Sequence, residues 1–204
     1  MTGDDAAGVR WWRVAGLADV LAAAAADTSA TWVHGLGLRW DVTEIVGGVS
    51  ETWERGSTAP ATLPLPIRYA HTSSWTRGVT PGRTVGRILA VCDAPDGLHL
   101  AGLIELAGSG AELRAREAAA AAARGGCCWS VETRIAWATG PRGSGWSGRG
   151  RIRAATMVAA AITRRPLLGG TNVHANRGPV ASIFGLTDED LDEAVERLRS
   201  RHEA

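Results

Sequence analysis

Residues 83–106, RTVGRILAVCDAPDGLHLAGLIEL, constrain the fold of this chain more than any other stretch. Two β-like runs, 83–92 and 98–106, flank DAPDG, a five-residue connection with the Pro, Asp and Gly chemistry of a hairpin turn. A parallel crossover needs a dozen or more residues, so the two runs pair antiparallel. Ser109 then opens SGAELRAREAAAAAAR, whose Ala, Leu, Glu and Arg content predicts a helix, with Gly125 and Gly126 as its C-terminal stop. That helix delivers the chain to GGCCWSVETRIAW, residues 125–137, which alternates like a strand. RIRAATMVAAAIT (151–163) reads as a further β segment, although its alanines also permit helix, and Arg164, Arg165 and Pro166 end it.

Elsewhere the pattern is sparser. TWVHGLGLRW (31–40) has strand alternation with Trp32, His34, Leu36, Leu38 and Trp40 on one face. RGSTAPATLPLP (55–66) is an extended loop leading into IRYAH. Thr187 with an acid three positions on forms a capping-box pattern, and Leu191, Val195 and Leu198 fall on one stripe of a closing amphipathic helix. GLADVLAAAAA (16–26) superficially resembles a secretory signal, but Asp4, Asp5 and Asp19 spoil it and the run is too short to span a bilayer, so an Ala-rich helix is expected. The division that follows is an N-terminal extension with that helix (1–30), a β domain (31–183) and a C-terminal helix or tail (184–204).

Composition excludes more than it names. All 22 basic residues are Arg, which removes Schiff-base lysines, Ser-Lys dyads and P-loop lysines from consideration. The formal net charge of +1 supplies no global attraction to nucleic acid or anionic membrane. Three cysteines, two of them adjacent, give neither a disulfide framework nor a zinc spacing; no metal or cofactor is expected, and a reducing cytoplasmic setting fits.

Strand parity sorts the segment around Ser130. Cys127, Trp129, Val131, Ile135 and Trp137 share one face, diluted only by Thr133, and form the buried side. Cys128, Ser130, Glu132, Arg134 and Ala136 face away from the core, so the Ser130 hydroxyl is expected to be reachable from solvent or a cleft. A serine needs a base to act as a nucleophile, normally a histidine oriented by a third group. Of five histidines, His71 ends the strand LPIRYA where a loop begins, which gives it an edge over His174, which follows a Gly-rich turn.

The ordered series LPIRYAH, VGRI, DGLHLAGLIEL, a helix, CCWSVE and RIRAATMVAAAITRRP, from about residue 63 to 175, resembles the prohead (capsid-maturation) serine proteases of tailed phages, which share a fold with herpesvirus assemblin. The resemblance implies an α+β fold, a small mostly antiparallel β-barrel flanked by helices. It implies Ser130 as nucleophile and His71 as general base. The chain departs from the family at the third member, because the slot midway between Ile152 and Pro166, where many relatives carry Glu, is Ala159. Glu132, two residues after Ser130 on the same face and roughly 7 Å along the strand, is the substitute, resembling actinobacterial-phage relatives with an acid there. Its other reading is an exposed strand residue paired with a cross-strand Arg. Arg164 and Arg165 match the Arg pair that stabilises the oxyanion in assemblin-like enzymes, or are simply a basic strand end.

The implied activity is endopeptidase action through an acyl-enzyme on scaffold and major capsid protein, inside the assembling prohead in the host cytoplasm. Self-cleavage and self-association are implied as well, and no membrane or specific nucleic-acid partner. The alternative is a catalytically inactive capsid-assembly factor, motivated by Ala159. Two further readings rank below these: Cys127 or Cys128 as nucleophile, and single-strand binding by RGSGWSGRGRIR (142–153).

Overall fold

The computed structural model of the chain describes residues 2–5, 8–25, 30–46, 49–69, 72–74, 78–80, 83–105, 112–139, 150–164, 168–175 and 180–202. Along the chain, β1 (Thr2–Asp5) and β2 (Val9–Arg13) pair antiparallel and lead into α1 (Leu17–Ala25). Strand β3 (Ala30–Arg39) is followed by the hairpin of β4 (Thr43–Val46) and β5 (Val49–Trp53), then by β6 (Thr58–Pro60) and β7 (Leu65–Tyr69). A separate two-stranded ribbon, β8 (Thr72–Ser74) with β9 (Gly78–Thr80), precedes β10 (Arg83–Ala94) and β11 (Gly97–Glu105). Helix α2 (Glu112–Arg124) carries the chain to β12 (Cys128–Thr139) and β13 (Gly150–Thr163), and β14 (His174–Ala175), α3 (Val180–Ile183) and α4 (Asp188–His202) complete it.

The β10–β11 hairpin forms as its sequence predicts, tightened to two turn residues, Pro95 and Asp96, with Ala94 opposite Gly97. Glycine is required inside it: a Cβ at Gly86 would overlap the Leu103 carbonyl and come within 2.9 Å of Ile104 Cα. Long strands carry shorter ones in series. One edge of β10 pairs with β7 over residues 83–88 and with β2 over 90–93. Likewise β13 aligns β5, β6 and β7 parallel to itself along one edge and β12 antiparallel along the other. The alanines of β13 thus lie in a strand flanked on both edges.

The architecture is α+β, a large, mostly antiparallel sheet with helices on its faces. The sheet runs β14-β3-β11-β10-β7-β13-β5-β4, with β12 against β13. It is open, which corrects the expected closed barrel: among the described residues no ladder joins β3 to β12. A three-residue seam spans that gap instead. Asn172 N–H donates to Leu36 O (3.0 Å) and its Oδ1 accepts from Leu36 N–H (2.9 Å), while Val173 N–H donates to Cys127 O (3.1 Å) and Thr171 Oγ1 to Trp129 O (2.9 Å). A sequence pattern reports which residues form strands, whereas closure depends on the pairing of two distant margins.

Two apolar cores sandwich the sheet. Val33, Leu38, Ile67, Ile88, Trp129 and Ile162 form the larger, covered in part by Ala115, Ala118 and Ala122 of α2, whose small side chains allow close approach. On the opposite face Leu89 and Leu103 pack with Leu17 and Leu21 of α1 and with Phe184. Bulges overturn two parity expectations. A register shift at Leu98/His99 sends Trp32 toward Phe184 (5.9 Å, edge-on) but Leu38 and Trp40 into the other core. A shift at Glu132/Thr133 leaves Ile135 46% exposed, not buried. No helix among the described residues is long and apolar enough to cross a membrane.

Candidate active site

Three neighbouring strands build the surroundings of Ser130. Arg68 of β7 pairs with Ala161 of β13, and Ala161 pairs with Ser130 of β12; two residue pairs along, Ala159 pairs with Glu132. Trp129 and Val131 point into the large core, so Ser130 and Glu132 point outward, as parity predicts up to the bulge. The hydroxyl's accessibility is another matter. Ser130 is only 4% exposed, so the expectation of a reachable side chain is corrected: it faces away from the core yet is covered.

Glu132 has found an arginine. Arg68 Nε lies 3.7 Å from Glu132 Oε1, with the two side chains 22% and 21% exposed. Both reach across β13 above Ala159 and Ala161, which are fully buried and too small to obstruct them. The contact is an ion pair without a hydrogen bond, and neither buried atom has a hydrogen-bond partner among the described residues. Among the described residues Glu132 Oε1 is therefore a desolvated acceptor with an ion-pair partner and no hydrogen-bond donor. Because Glu132 stands directly opposite Ala159, the carboxylate that the resemblance expects on β13 has a counterpart one strand over at the same level.

His71 and Arg165 lie outside the described residues. The strand preceding His71 ends at Tyr69, which pairs with Ile162, itself the partner of Trp129. Arg164 is exposed at the end of β13, three residues and roughly 10 Å along the strand from Ala161, the partner of Ser130. It sits beside the Cys127 thiol. Burial pushes that thiol upward, against the lowering influence of Arg164, and Cys127 is 4% exposed, so it is a packing residue and a poor nucleophile.

The remaining histidines gather elsewhere. His174 pairs with His34 across β14 and β3, their ring centroids 5.6 Å apart. His34 and His99 both line a cleft of about 290 Å³ where α3 meets the sheet, together with Trp11, Cys92 and Ser182. His99 Nε2 is 2.9 Å from Asp96 Oδ1 in the hairpin turn. The described ends of the 142–153 segment are engaged internally, Arg151 and Arg153 lying 3.4 and 3.3 Å from Glu54. Among the described residues no group of His, Cys, Asp and Glu could hold a metal ion. Glu132 thus has an arginine partner, as its other reading expected, but the sequence did not single out Arg68, which lies across β13 and not on an adjacent strand. Its adjacency to Glu132 requires the parallel β7–β13 register, and no local pattern encodes it.

No protein-family model matches this chain, and no curated protein matches it in sequence. Chemically, the site offers a covered serine that faces away from the core, a carboxylate two residues on whose Oε1 has no hydrogen-bond donor among the described residues, and an arginine beside that carboxylate. Such a set can orient and charge-balance an imidazole, and hence supports acyl transfer once a base stands between acid and hydroxyl.

Proposed function

We propose that the chain is a serine endopeptidase of the prohead-protease type, with Ser130 as nucleophile, His71 as general base and Glu132 as the acid that orients it. The observation that carries this reading is the β7–β13–β12 row. The strand leading to His71 and the strand bearing Ser130 flank the same neighbour, two strand spacings or roughly 10 Å apart. The buried Oε1 of Glu132 adds support, because among the described residues it accepts no hydrogen bond and an imidazole N–H could supply one. In this proposal Ser130 attacks a peptide carbonyl while His71 accepts its proton. His71 then protonates the leaving amine, and water hydrolyses the acyl-enzyme. The expected oxyanion role falls to Arg165 and backbone N–H groups, because Arg164 lies beside the Cys127 thiol and roughly 10 Å along β13 from the Ser130 rung. The substrates would be scaffold and major capsid protein within the immature head, with the assemblin-like fold as scaffold for the chemistry. Burial of Ser130 implies that its cover moves before substrate enters.

That same burial favours a second reading, an inactive assembly factor on a protease fold. A fluorophosphonate probe separates the two. The peptidase is expected to label at Ser130 and to trim itself on incubation, with Ser130→Ala and His71→Ala folded but silent in both assays. Labelling or trimming undiminished in Ser130→Ala removes the nucleophile assignment. A wild-type chain that neither labels nor trims, yet still enters proheads, establishes the second reading.

A further inference from the structure

Resting on the peptidase reading, we infer that Arg68 is a positioning residue that acts on the chemistry through Glu132. A glutamate on a strand has three rotatable bonds, and an acid that is to orient an imidazole must be held in one place. Arg68 approaches from β7, across β13, and its Nε stands 3.7 Å from Oε1. The guanidinium carries five donors in a rigid fork. It therefore draws the carboxylate over the small Ala159–Ala161 floor, beside the rung that carries Ser130.

The length of the contact matters as much as its sign. At 3.7 Å the pair has Coulombic attraction without a hydrogen bond, and among the described residues Oε1 accepts from no donor. Without Arg68, Glu132 loses the partner that fixes its position. Arg68 touches neither substrate nor proton in this scheme, and its effect disappears when Glu132 can no longer carry charge.

Phosphonylation of Ser130 by a fluorophosphonate probe tests this, with the maximal rate and the half-saturating probe concentration measured separately. Arg68→Ala and Arg68→Met, the latter keeping an apolar stem, are expected to lower the maximal rate by roughly ten- to hundredfold through misplacement of the acid. Half-saturation should stay within about twofold, and Arg68→Lys should restore part of the rate by returning the charge. In a Glu132→Gln background the same Arg68 substitutions should change the rate by less than about twofold, since two residues acting as one unit are not additive. Thermal melts and circular dichroism identify any variant that has lost its fold, and Arg68→Met and Arg68→Lys supply the comparison if Arg68→Ala has. An Arg68→Met protein that reacts at the wild-type rate overturns the inference and leaves the peptidase reading standing. So does an equal loss in the Glu132→Gln background. A wild-type chain that never labels at Ser130 overturns the peptidase reading, and this inference with it.

Discussion

Returning the carboxylate to β13 tests the register beneath the site. Glu132 and Ala159 are directly opposed across β12 and β13, where paired Cα atoms lie about 5 Å apart. Ala159→Glu would set a second carboxylate beside the first, in a position that is fully buried in the wild type. At an effective dielectric constant near 20, two unit charges about 5 Å apart repel by about 3 kcal/mol. The larger side chain adds an overpacking cost of about 1–3 kcal/mol. That cost is common to Ala159→Glu and to Glu132→Ala/Ala159→Glu, so a double-mutant cycle with Glu132→Ala removes it and isolates the repulsion. The expected coupling is about 3 kcal/mol in urea denaturation, or roughly 6–12 °C in Tm for a domain of this size. Cleavage should follow the same logic: Glu132→Ala/Ala159→Glu, with its acid one strand over, should exceed Glu132→Ala alone. A coupling within about 0.5 kcal/mol of zero would refute the argument, because charges that do not interact are not neighbours.

Two other outcomes follow from single groups. The Asp190 carboxyl is held below its ordinary value by the Thr187 backbone N–H and then the Thr187 hydroxyl, so its stabilising effect on α4 is complete above the ordinary Asp range and fades as pH falls through the lowered value. Thermal melts of wild type and Asp190→Asn should therefore differ at neutral pH and converge in acid; a constant gap would contradict the cap. For the thiols, brief iodoacetamide treatment of the native chain at pH 7.5 should modify half-buried Cys128 and spare buried Cys127, whose thiol burial pushes up, while Cys128→Ala leaves phosphonylation unchanged. Mass spectrometry reads the first result, and preferential labelling of Cys127 would refute it.

The elements legible in the sequence are those whose signal is local. The β10–β11 hairpin carries its own turn, α2 its composition and glycine stop, and α4 its cap, in which Asp190 N–H donates to Thr187 Oγ1 (3.1 Å) and Thr187 N–H to Asp190 Oδ2 (2.8 Å). Strand β2 was not legible, because five residues reading VRWWR show no alternation and are recruited by the far half of β10. The three- to five-residue strands β4, β5 and β6 escaped for a similar reason: β5 and β6 take their place from β13, and β4 pairs with β5. At the site, parity correctly turned Ser130 and Glu132 away from the core. It carried no information on what covers that outward face, nor on a bulge after Glu132 that rotates Ile135 into solvent. Arg68 lay beyond reach because its relation to Glu132 passes through a third strand.

The seam at Thr171–Val173 gives the molecule a line of easiest parting. Among the described residues Asn172 makes two hydrogen bonds to Leu36 beside the β14–β3 pairing, and Thr171 and Val173 make one each to β12, while detaching β12 from β13 would break a ladder running from Cys128 to Thr139. Local opening is expected to cost less along such a line than along a full ladder. The Ser130 strand is thus clamped firmly on one flank and only buttoned on the other, so its loose flank can yield while the β10–β11 centre keeps its shape.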